Sequence, residues 1–246
     1  MFVERAYIRE NDLPDDAERS QWPYTVPCVD QLLETGLEFQ KPITIFVGDN
    51  GSGKSTLVES VAEAFGLNPE GGRLAAVHRP EGGSPLGHRL ALAKTASASR
   101  MLAGPRLRKQ GFFLRAETAF RLTALSGVPG YWEENTAEMS HGEGFLTVFG
   151  KMFDKPGFYV MDEPEGALSF SSCLQLVSLI HELGQTGSQV LCATHSPILA
   201  AIPGADLIEV GDHGFRRRRW QDLELVDHWR RYLEAPDRYV RHLVEE

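Results

Sequence analysis

The sequence has few cysteines and no long hydrophobic run, and these absences narrow the classes of protein to consider. Its three cysteines, Cys28, Cys173 and Cys192, form no CxxC pair and indicate no disulfide framework. We expect buried thiols in a reducing cytoplasm. No stretch approaches the roughly 18 apolar residues that span a bilayer. The charged first ten residues also lack the apolar segment of a signal peptide. The sequence therefore predicts a cytoplasmic protein without a membrane segment of its own.

Basic residues are also fewer than acidic ones, with 25 lysines and arginines against 34 aspartates and glutamates. The net charge of −9 argues against non-specific nucleic-acid binding by the whole surface, although a local basic patch stays possible. Basic side chains cluster in the run Arg216–Arg219 and at Arg100, Arg106, Arg108, Lys109 and Arg115. We expect the run to lie on a solvated or acid-paired edge strand. The alternative is contact with nucleic-acid phosphates.

Apolar runs alternate with helical patterns along the 246 residues. Strands are predicted at 2–8, 43–47, 111–116, 157–162 and 188–194. Helices are predicted from about 54 to Gly66, at 117–127, 170–184 and near the end of the chain. Residues 206–220 resemble a hairpin, residues 10–23 a polar loop, and residues 78–111 an irregular segment. The alternation predicts one α/β domain over residues 1–246, with a mostly parallel sheet flanked by helices. A short helical subdomain at about 116–156 and an antiparallel β portion at the N- and C-terminal ends complete the prediction.

One glycine-rich segment matches the phosphate-binding pattern G-x-x-x-x-G-K-[ST] in full. Its residues are Gly48, Asp49, Asn50, Gly51, Ser52, Gly53, Lys54 and Ser55, followed by Thr56. Glycines let backbone N–H groups surround phosphate oxygens, and the start of the following helix favours an anion. Lys54 is expected to reach the β- and γ-phosphates, and the Ser55 hydroxyl to coordinate Mg²⁺.

Two later strands end in polar residues suited to phosphate chemistry. Asp162 is placed to hold Mg²⁺, and Glu163 is placed to orient and deprotonate a water molecule. Glu165 is the less favoured base, and a solvated acidic turn is the alternative. His195 follows the next strand, 33 residues after Asp162. It could hydrogen-bond the γ-phosphate, although a histidine at a strand end is commonly structural.

The order of these motifs resembles that of the ABC-class ATPases, the P-loop class that includes transporter nucleotide-binding domains and chromosome-maintenance and repair ATPases. "MSHGE", residues 139–143, is similar to the family's LSGGQ motif, with Ser140, Gly142 and Glu143 at matching positions. The resemblance implies that this loop closes over the nucleotide of a second subunit, in a nucleotide-dependent homodimer. The alternative is a capping box, Ser140 to Glu143, that only starts a helix.

Several positions depart from the family pattern. His141 replaces a small glycine, and Ser169 stands where the family has an aspartate. Glu117 takes the place of the family's metal-contacting glutamine, where its carboxylate could bind Mg²⁺. Tyr24 is the first candidate for stacking on adenine, and Trp22 is the second.

The resemblance implies a soluble Mg-ATPase whose dimerisation drives a conformational change in an unidentified protein partner. The alternatives are a DNA-repair or anti-phage effector ATPase, a transporter's nucleotide-binding subunit, and a nucleotide-gated binding module without hydrolysis. GTP is disfavoured as the nucleotide because the sequence has no [NT]-K-x-D motif. A small-molecule kinase is disfavoured because the sequence has no clear arginine-rich lid. Only 23 residues separate Glu117 from Ser140, too few for a coiled coil. The chain also resembles small stand-alone bacterial AAA/ABC-type ATPases.

Overall fold

The computed structural model describes most of the chain outside one long central segment. The described residues are 1–68, 72–73, 84, 86–104, 110–115, 149–150, 153, 155–166 and 168–244. The motif at 139–143, the helix predicted at 117–127 and most of the subdomain predicted at 116–156 lie outside the described residues.

Seven of the described strands form the main sheet, and most of its pairings are parallel. Its strands are β3 (Ile43–Val47), β4 (Gly72–Arg73), β6 (Gly111–Arg115), β7 (Phe158–Asp162), β8 (Gln189–Thr194), β9 (Asp206–Gly211) and β10 (Gly214–Arg217). Their order is β10-β9-β3-β8-β7-β6-β4. The five central strands run parallel, and the edge strands β10 and β4 pair antiparallel with their neighbours. The predicted α/β fold and the hairpin at 206–220 are confirmed.

A second, antiparallel sheet has the order β2-β1-β5 and consists of β1 (Val3–Ile8), β2 (Leu37–Glu38) and β5 (Leu90–Lys94). The prediction of an irregular segment at 78–111 is therefore wrong for residues 90–103. β5 pairs with β1 along its length, a partner far away in sequence. The next residue, Thr95, then caps a helix by accepting the N–H of Ala98 at 3.2 Å.

Seven α-helices are found among the described residues. They are α1 (Asp16–Arg19), α2 (Pro27–Thr35), α3 (Lys54–Phe65), α4 (Ala96–Ala103), α5 (Phe170–Gln185), α6 (Glu224–Glu234) and α7 (Pro236–Val244). The helix predicted from about 54 ends as expected, at Gly66, which adopts φ +103°. The predicted polar loop at 10–23 contains α1, whose first turn is closed by a capping box between Asp15 and Glu18.

The main sheet separates two hydrophobic cores, and side chains alternate between them along β3. Phe46 packs on the face that also contacts α2, α3 and the second sheet. Ile45 and Val47 pack on the opposite face, against residues of α5 and α6. This alternation follows from the two-residue repeat of a strand. It explains why β3 consists entirely of buried β-branched and aromatic residues.

The buried side chain of Gln189 at the start of β8 joins the two sheets. Its Oε1 atom accepts hydrogen bonds from the N–H groups of Phe2 at 2.7 Å and Val3 at 2.8 Å, and its Nε2 donates to the carbonyl of Val3 at 2.9 Å. These contacts provide hydrogen-bond partners for backbone groups at the start of β1 that would otherwise be buried without them.

We expect Gln189→Ala to destabilise the fold by about 2 to 4 kcal/mol, because it leaves three backbone polar groups without partners. The melting temperature should fall by roughly 5 to 15 °C. Thermal unfolding followed by circular dichroism measures this change, with the exposed Gln185→Ala on α5 as the control. Equal melting temperatures for both variants would contradict the assigned role.

Candidate active site

Three parallel strands end side by side at one edge of the main sheet, and the predicted site residues follow them. β8 lies between β3 and β7, so that Val47 pairs with Thr194 and Ala193 pairs with Asp162. The carboxyl ends of parallel strands are where α/β sheets bind ligands. The phosphate-binding loop, the acidic pair and His195 therefore meet in one place.

Two glycines of the loop are required by close packing behind it. A Cβ atom on Gly48 would lie 2.0 Å from the carbonyl oxygen of Val210. A Cβ atom on Gly53 would lie 2.4 Å from Sγ of Cys28 and 2.8 Å from Cγ1 of Val26, and its φ is +97°. The thiol of Cys28 also donates to the carbonyl of Ser52 at 3.3 Å. The loop is thus held against α2 and β9 from behind.

Lys54 is a buried cation at the start of α3. Its side chain is 3% exposed, and its Nζ donates to the carbonyl of Asp49 at 2.8 Å, across the loop. Burial lowers its pKa, and the carboxylates of Glu163 and Asp162 act in the opposite direction. The Ser52 hydroxyl is buried in the same loop without a hydrogen-bond partner among the described residues. A desolvated cation, an orphaned hydroxyl and a helix N-terminus together suit an anionic ligand.

The side chains of Ser55 and Asp162 are joined by a hydrogen bond between two oxygen atoms. The Ser55 hydroxyl donates to Oδ1 of Asp162 at 3.0 Å. Burial raises the pKa of Asp162, and the hydrogen bond from Ser55 partly offsets that rise. Mg²⁺ prefers oxygen ligands and commonly binds through one or two carboxylates together with substrate phosphates. The donor set fits this ion, although the described residues hold no group of three His, Cys, Asp or Glu side chains arranged for a metal.

Glu163 has an unusual backbone and a direct contact with His195. Its φ is +50°, and it is the one non-glycine residue in the described part of the chain with positive φ. Its N–H donates to the carbonyl of Ala193 at 2.9 Å. Its Oε1 lies 2.6 Å from Nε2 of His195. The twist in the backbone directs the Glu163 side chain towards β8 and pairs it with His195, at the partly exposed face of the site.

Glu165 points into the protein and binds the segment after β8. Its Oε1 accepts from the Thr194 hydroxyl and from the N–H of His195, the latter at 2.9 Å. Glu165 is the base that the sequence favours less, and the structure places both donors on its Oε1 atom. No local sequence pattern indicates the contact between Glu165 and Thr194, because it joins residues 29 positions apart.

Tyr24 is not available for stacking on adenine in this structure. It is 8% exposed and belongs to the hydrophobic core, with the guanidinium of Arg89 5.8 Å from its ring centroid. Burial also raises its pKa. The second candidate, Trp22, is 62% exposed. Tyr24 is therefore a core residue and does not present its ring to a bound nucleotide.

Of the remaining predicted residues, one lies in the described part of the chain and the others lie outside it. Ser169 caps α5 by accepting the N–H of Ser172 at 3.2 Å. The predicted metal ligand Glu117 and the motif residues Ser140, Gly142 and Glu143 lie outside the described residues.

The run Arg216–Arg219 is paired with acids, as expected for a paired edge strand. Arg216 and Arg218 contact Glu209 at 3.4 and 3.2 Å, Arg217 contacts Asp206 at 3.0 Å, and Arg219 contacts Asp222 at 2.7 Å. Burial acts to raise the pKa of Glu209, but the N–H of Glu224 and the guanidinium groups of Arg218 and Arg216 lower it overall. The four guanidinium groups of this run therefore contact three carboxylates within the protein.

We expect Asp162→Asn to stabilise the ligand-free protein at pH 7. The raised pKa means that the folded chain holds this proton to higher pH than the unfolded chain does. Stability is therefore lost as the pH rises from the ordinary carboxyl pKa of 3.8 to the raised value. Asparagine carries no charge and keeps an oxygen for Ser55, so the melting temperature should rise, by about 2 to 4 °C per kcal/mol gained.

Melting curves between pH 4 and pH 7 test this expectation, with the exposed Glu182→Gln on α5 as the control. The gain should shrink as the pH falls, because Asp162 then becomes protonated, and so neutral, in the folded protein. An Asp162→Asn variant that melts below the wild type at pH 7 would contradict the account.

Comparison with known proteins identifies relatives. The model of a family described as an AAA domain matches residues 31–77, which include the phosphate-binding loop. The cytochrome c biogenesis ATP-binding export protein CcmA of Rhizobium etli is 33% identical over 172 residues, 63% of this chain and 75% of CcmA. The ATP-dependent permease PDR12 of Saccharomyces cerevisiae is 22% identical over 225 residues. That match takes in 78% of this chain, but the chain spans only 15% of the permease.

Among solved structures, cbiO1 from Clostridium perfringens, part of the ABC transporter complex cbiONQ, matches with 14% identity and a TM-score of 0.47. The match covers 86% of this chain and 90% of cbiO1. No helix in the described part of the chain is long and apolar enough to cross a membrane. CcmA is 33% identical to this chain over three quarters of its own length. This identity shows the family, together with the phosphate-binding loop, the acidic pair and the histidine at neighbouring strand ends. The chain belongs to the ABC-class P-loop ATPases.

Proposed function

We propose that this protein binds ATP with Mg²⁺ and hydrolyses it to ADP and phosphate. One observation carries the proposal: the Ser55–Asp162 pair, with its oxygens 3.0 Å apart, adjoins the Glu163–His195 pair at the end of neighbouring strands. The first pair suits a metal that binds phosphate, and the second pair suits activation of water. The names of CcmA and PDR12 both refer to ATP, which supports this choice of nucleotide.

The phosphates are held by the loop and by the start of α3. Lys54 gives up its hydrogen bond to Asp49 and turns its ammonium group towards the β- and γ-phosphates. The loop N–H groups and the helix dipole bind the remaining oxygens. Ser55 and Asp162 would hold Mg²⁺, which when bound neutralises charge on the phosphate oxygens.

Glu163 then acts as the general base. Its carboxylate takes a proton from a water molecule whose oxygen attacks the γ-phosphorus. The bond to the oxygen between the β- and γ-phosphates breaks, and ADP leaves with the electron pair. His195 is hydrogen-bonded to Glu163, so this contact must loosen before Glu163 can reach the water. The released His195 ring can donate its N–H to the γ-phosphate.

The proposal includes a nucleotide-dependent homodimer. Ser140, Gly142 and Glu143 of each copy would cover the γ-phosphate bound by the other. Closure of that shared site would move a protein partner. The resemblance of residues 139–143 to the family motif supports this step.

A nucleotide-binding subunit of a transporter is the second candidate, because CcmA is named as an export protein and matches at 33% identity. Its test is recruitment of the protein to membranes when it is co-expressed with a membrane protein encoded beside it; a protein that stays in the soluble fraction would count against it. The DNA-repair or anti-phage alternative gains no support from Arg216–Arg219, because each of these arginines is paired with an acid.

We expect Glu163→Gln to bind ATP but to hydrolyse it about 10² to 10⁴ times more slowly, because glutamine cannot accept the proton. Phosphate release and equilibrium ATP binding measure the two effects separately. The dissociation constant should stay within about threefold of the wild-type value, since Lys54 and Ser55 are intact. Glu182→Gln, exposed on α5, serves as the control. Unchanged turnover in Glu163→Gln would refute the role of Glu163.

We also expect the Glu163→Gln variant to dimerise with Mg-ATP and to be monomeric with Mg-ADP, because only ATP presents a γ-phosphate to the partner's loop. Light scattering gives the solution mass in each state. Adding Ser140→Ala should weaken the dimer, whereas adding the exposed Gln185→Ala on α5 should not. A monomer with both nucleotides would contradict the homodimer.

A further inference from the structure

Glu165 is the one acidic residue of the turn after β7 whose carboxylate faces the protein interior and the segment that carries His195. Its Oε1 accepts two hydrogen bonds, from the Thr194 hydroxyl and from the backbone N–H of His195. Its Oε2 is buried and has no hydrogen-bond partner among the described residues. A buried carboxylate is costly, so its retention beside the site requires an explanation.

The two bonds to Glu165 begin a chain of contacts that fixes the turn after β8. Thr194 is fully buried, and its hydroxyl oxygen accepts the N–H of Ser196 at 2.9 Å. The Ser196 hydroxyl in turn accepts the N–H of Ile198 at 3.2 Å. The backbone on both sides of His195 is therefore held by side chains, and Glu165 ties it to the turn after β7 through the Thr194 hydroxyl and the His195 N–H.

Two glutamates of one turn thus hold His195 at different points. Glu163 contacts the ring at Nε2, and Glu165 contacts the backbone N–H. The contact with Glu163 must loosen during the reaction, because both side chains are needed at the phosphate. The contact with Glu165 can persist, since it involves neither the ring of His195 nor the carboxylate of Glu163.

We propose that Glu165 is a positioning residue, which fixes the backbone of His195 so that the released ring meets the γ-phosphate. This inference rests on the proposed function. Glu165 does not act as a second base, because its Oε1 is occupied by two donors and its Oε2 is buried away from water. A base must reach the water from which it takes the proton.

Glu165→Ala should lower kcat for ATP by about 10- to 100-fold, because a shift of about 1 Å in a reacting group can cost this much. The KM for ATP should change less than about threefold, since Lys54 and Ser55 are untouched. Glu165→Gln keeps an acceptor oxygen for Thr194 and His195 and should retain at least about half of the wild-type kcat. Glu182→Ala, an exposed acid on α5, is the matched control.

A double-mutant cycle separates positioning of His195 from an independent role. If Glu165 acts through His195, Glu165→Ala should lower kcat less than about twofold in a His195→Ala background. Additive losses in the double variant would overturn the proposal. A Glu165→Gln variant as slow as Glu165→Ala would also overturn it, because charge rather than placement would then be required.

Amide hydrogen exchange tests the placement without any catalysis. Peptides containing residues 194–198 should exchange faster in Glu165→Ala than in the wild type, and at the wild-type rate in Glu165→Gln, at temperatures where all three are folded by circular dichroism. Equal exchange in all three proteins would overturn the proposal. A wild type that releases no phosphate would refute the proposed ATPase function, and exchange would then still decide whether Glu165 holds the His195 backbone.

Discussion

The position of β8 between β3 and β7 is the constraint on which the rest of the site depends. Parallel pairing brings the carboxyl ends of these three strands to one edge, with Val47 opposite Thr194 and Asp162 opposite Ala193. Residues separated by more than a hundred positions therefore meet within hydrogen-bond distance, as Ser55 and Asp162 do. The hydrophobic cores on both faces of the sheet fix this order, and the site residues stand immediately beyond the buried strands.

The site contains buried charges that the surrounding residues compensate only in part. Burial lowers the pKa of Lys54 and raises the pKa of Asp162, so each charged form is disfavoured where it lies. Lys54 bonds a loop carbonyl, and Glu163 bonds His195, in contacts that a phosphate and a water molecule would replace. The strained backbone of Glu163 belongs to the same arrangement, since strain of this kind tends to occur at functional sites. A magnesium nucleotide would supply the missing opposite charges.

The sequence predicted the parts of the fold that local patterns encode. The buried strands β3, β7 and β8 are short, mostly apolar runs, and the loop at 48–55 has a spacing that phosphate binding requires. It did not predict β5, because that strand is defined by pairing with β1 across more than 80 residues. Tyr24, the residue predicted to stack on adenine, is instead buried, because the local sequence does not encode which aromatic residues enter the core. The roles of Glu165 and Gln189 depend on tertiary contacts and leave no local pattern.

The central claim is that the ends of β3, β7 and β8 form one site that hydrolyses ATP with Mg²⁺. Phosphate release by the wild-type protein, measured with Mg²⁺ and again with excess chelator, tests it most directly. We expect release that requires Mg²⁺ and disappears in Lys54→Ala. Release that continues without Mg²⁺, or in Lys54→Ala, would contradict it, as would ATP bound with Mg²⁺ and never cleaved.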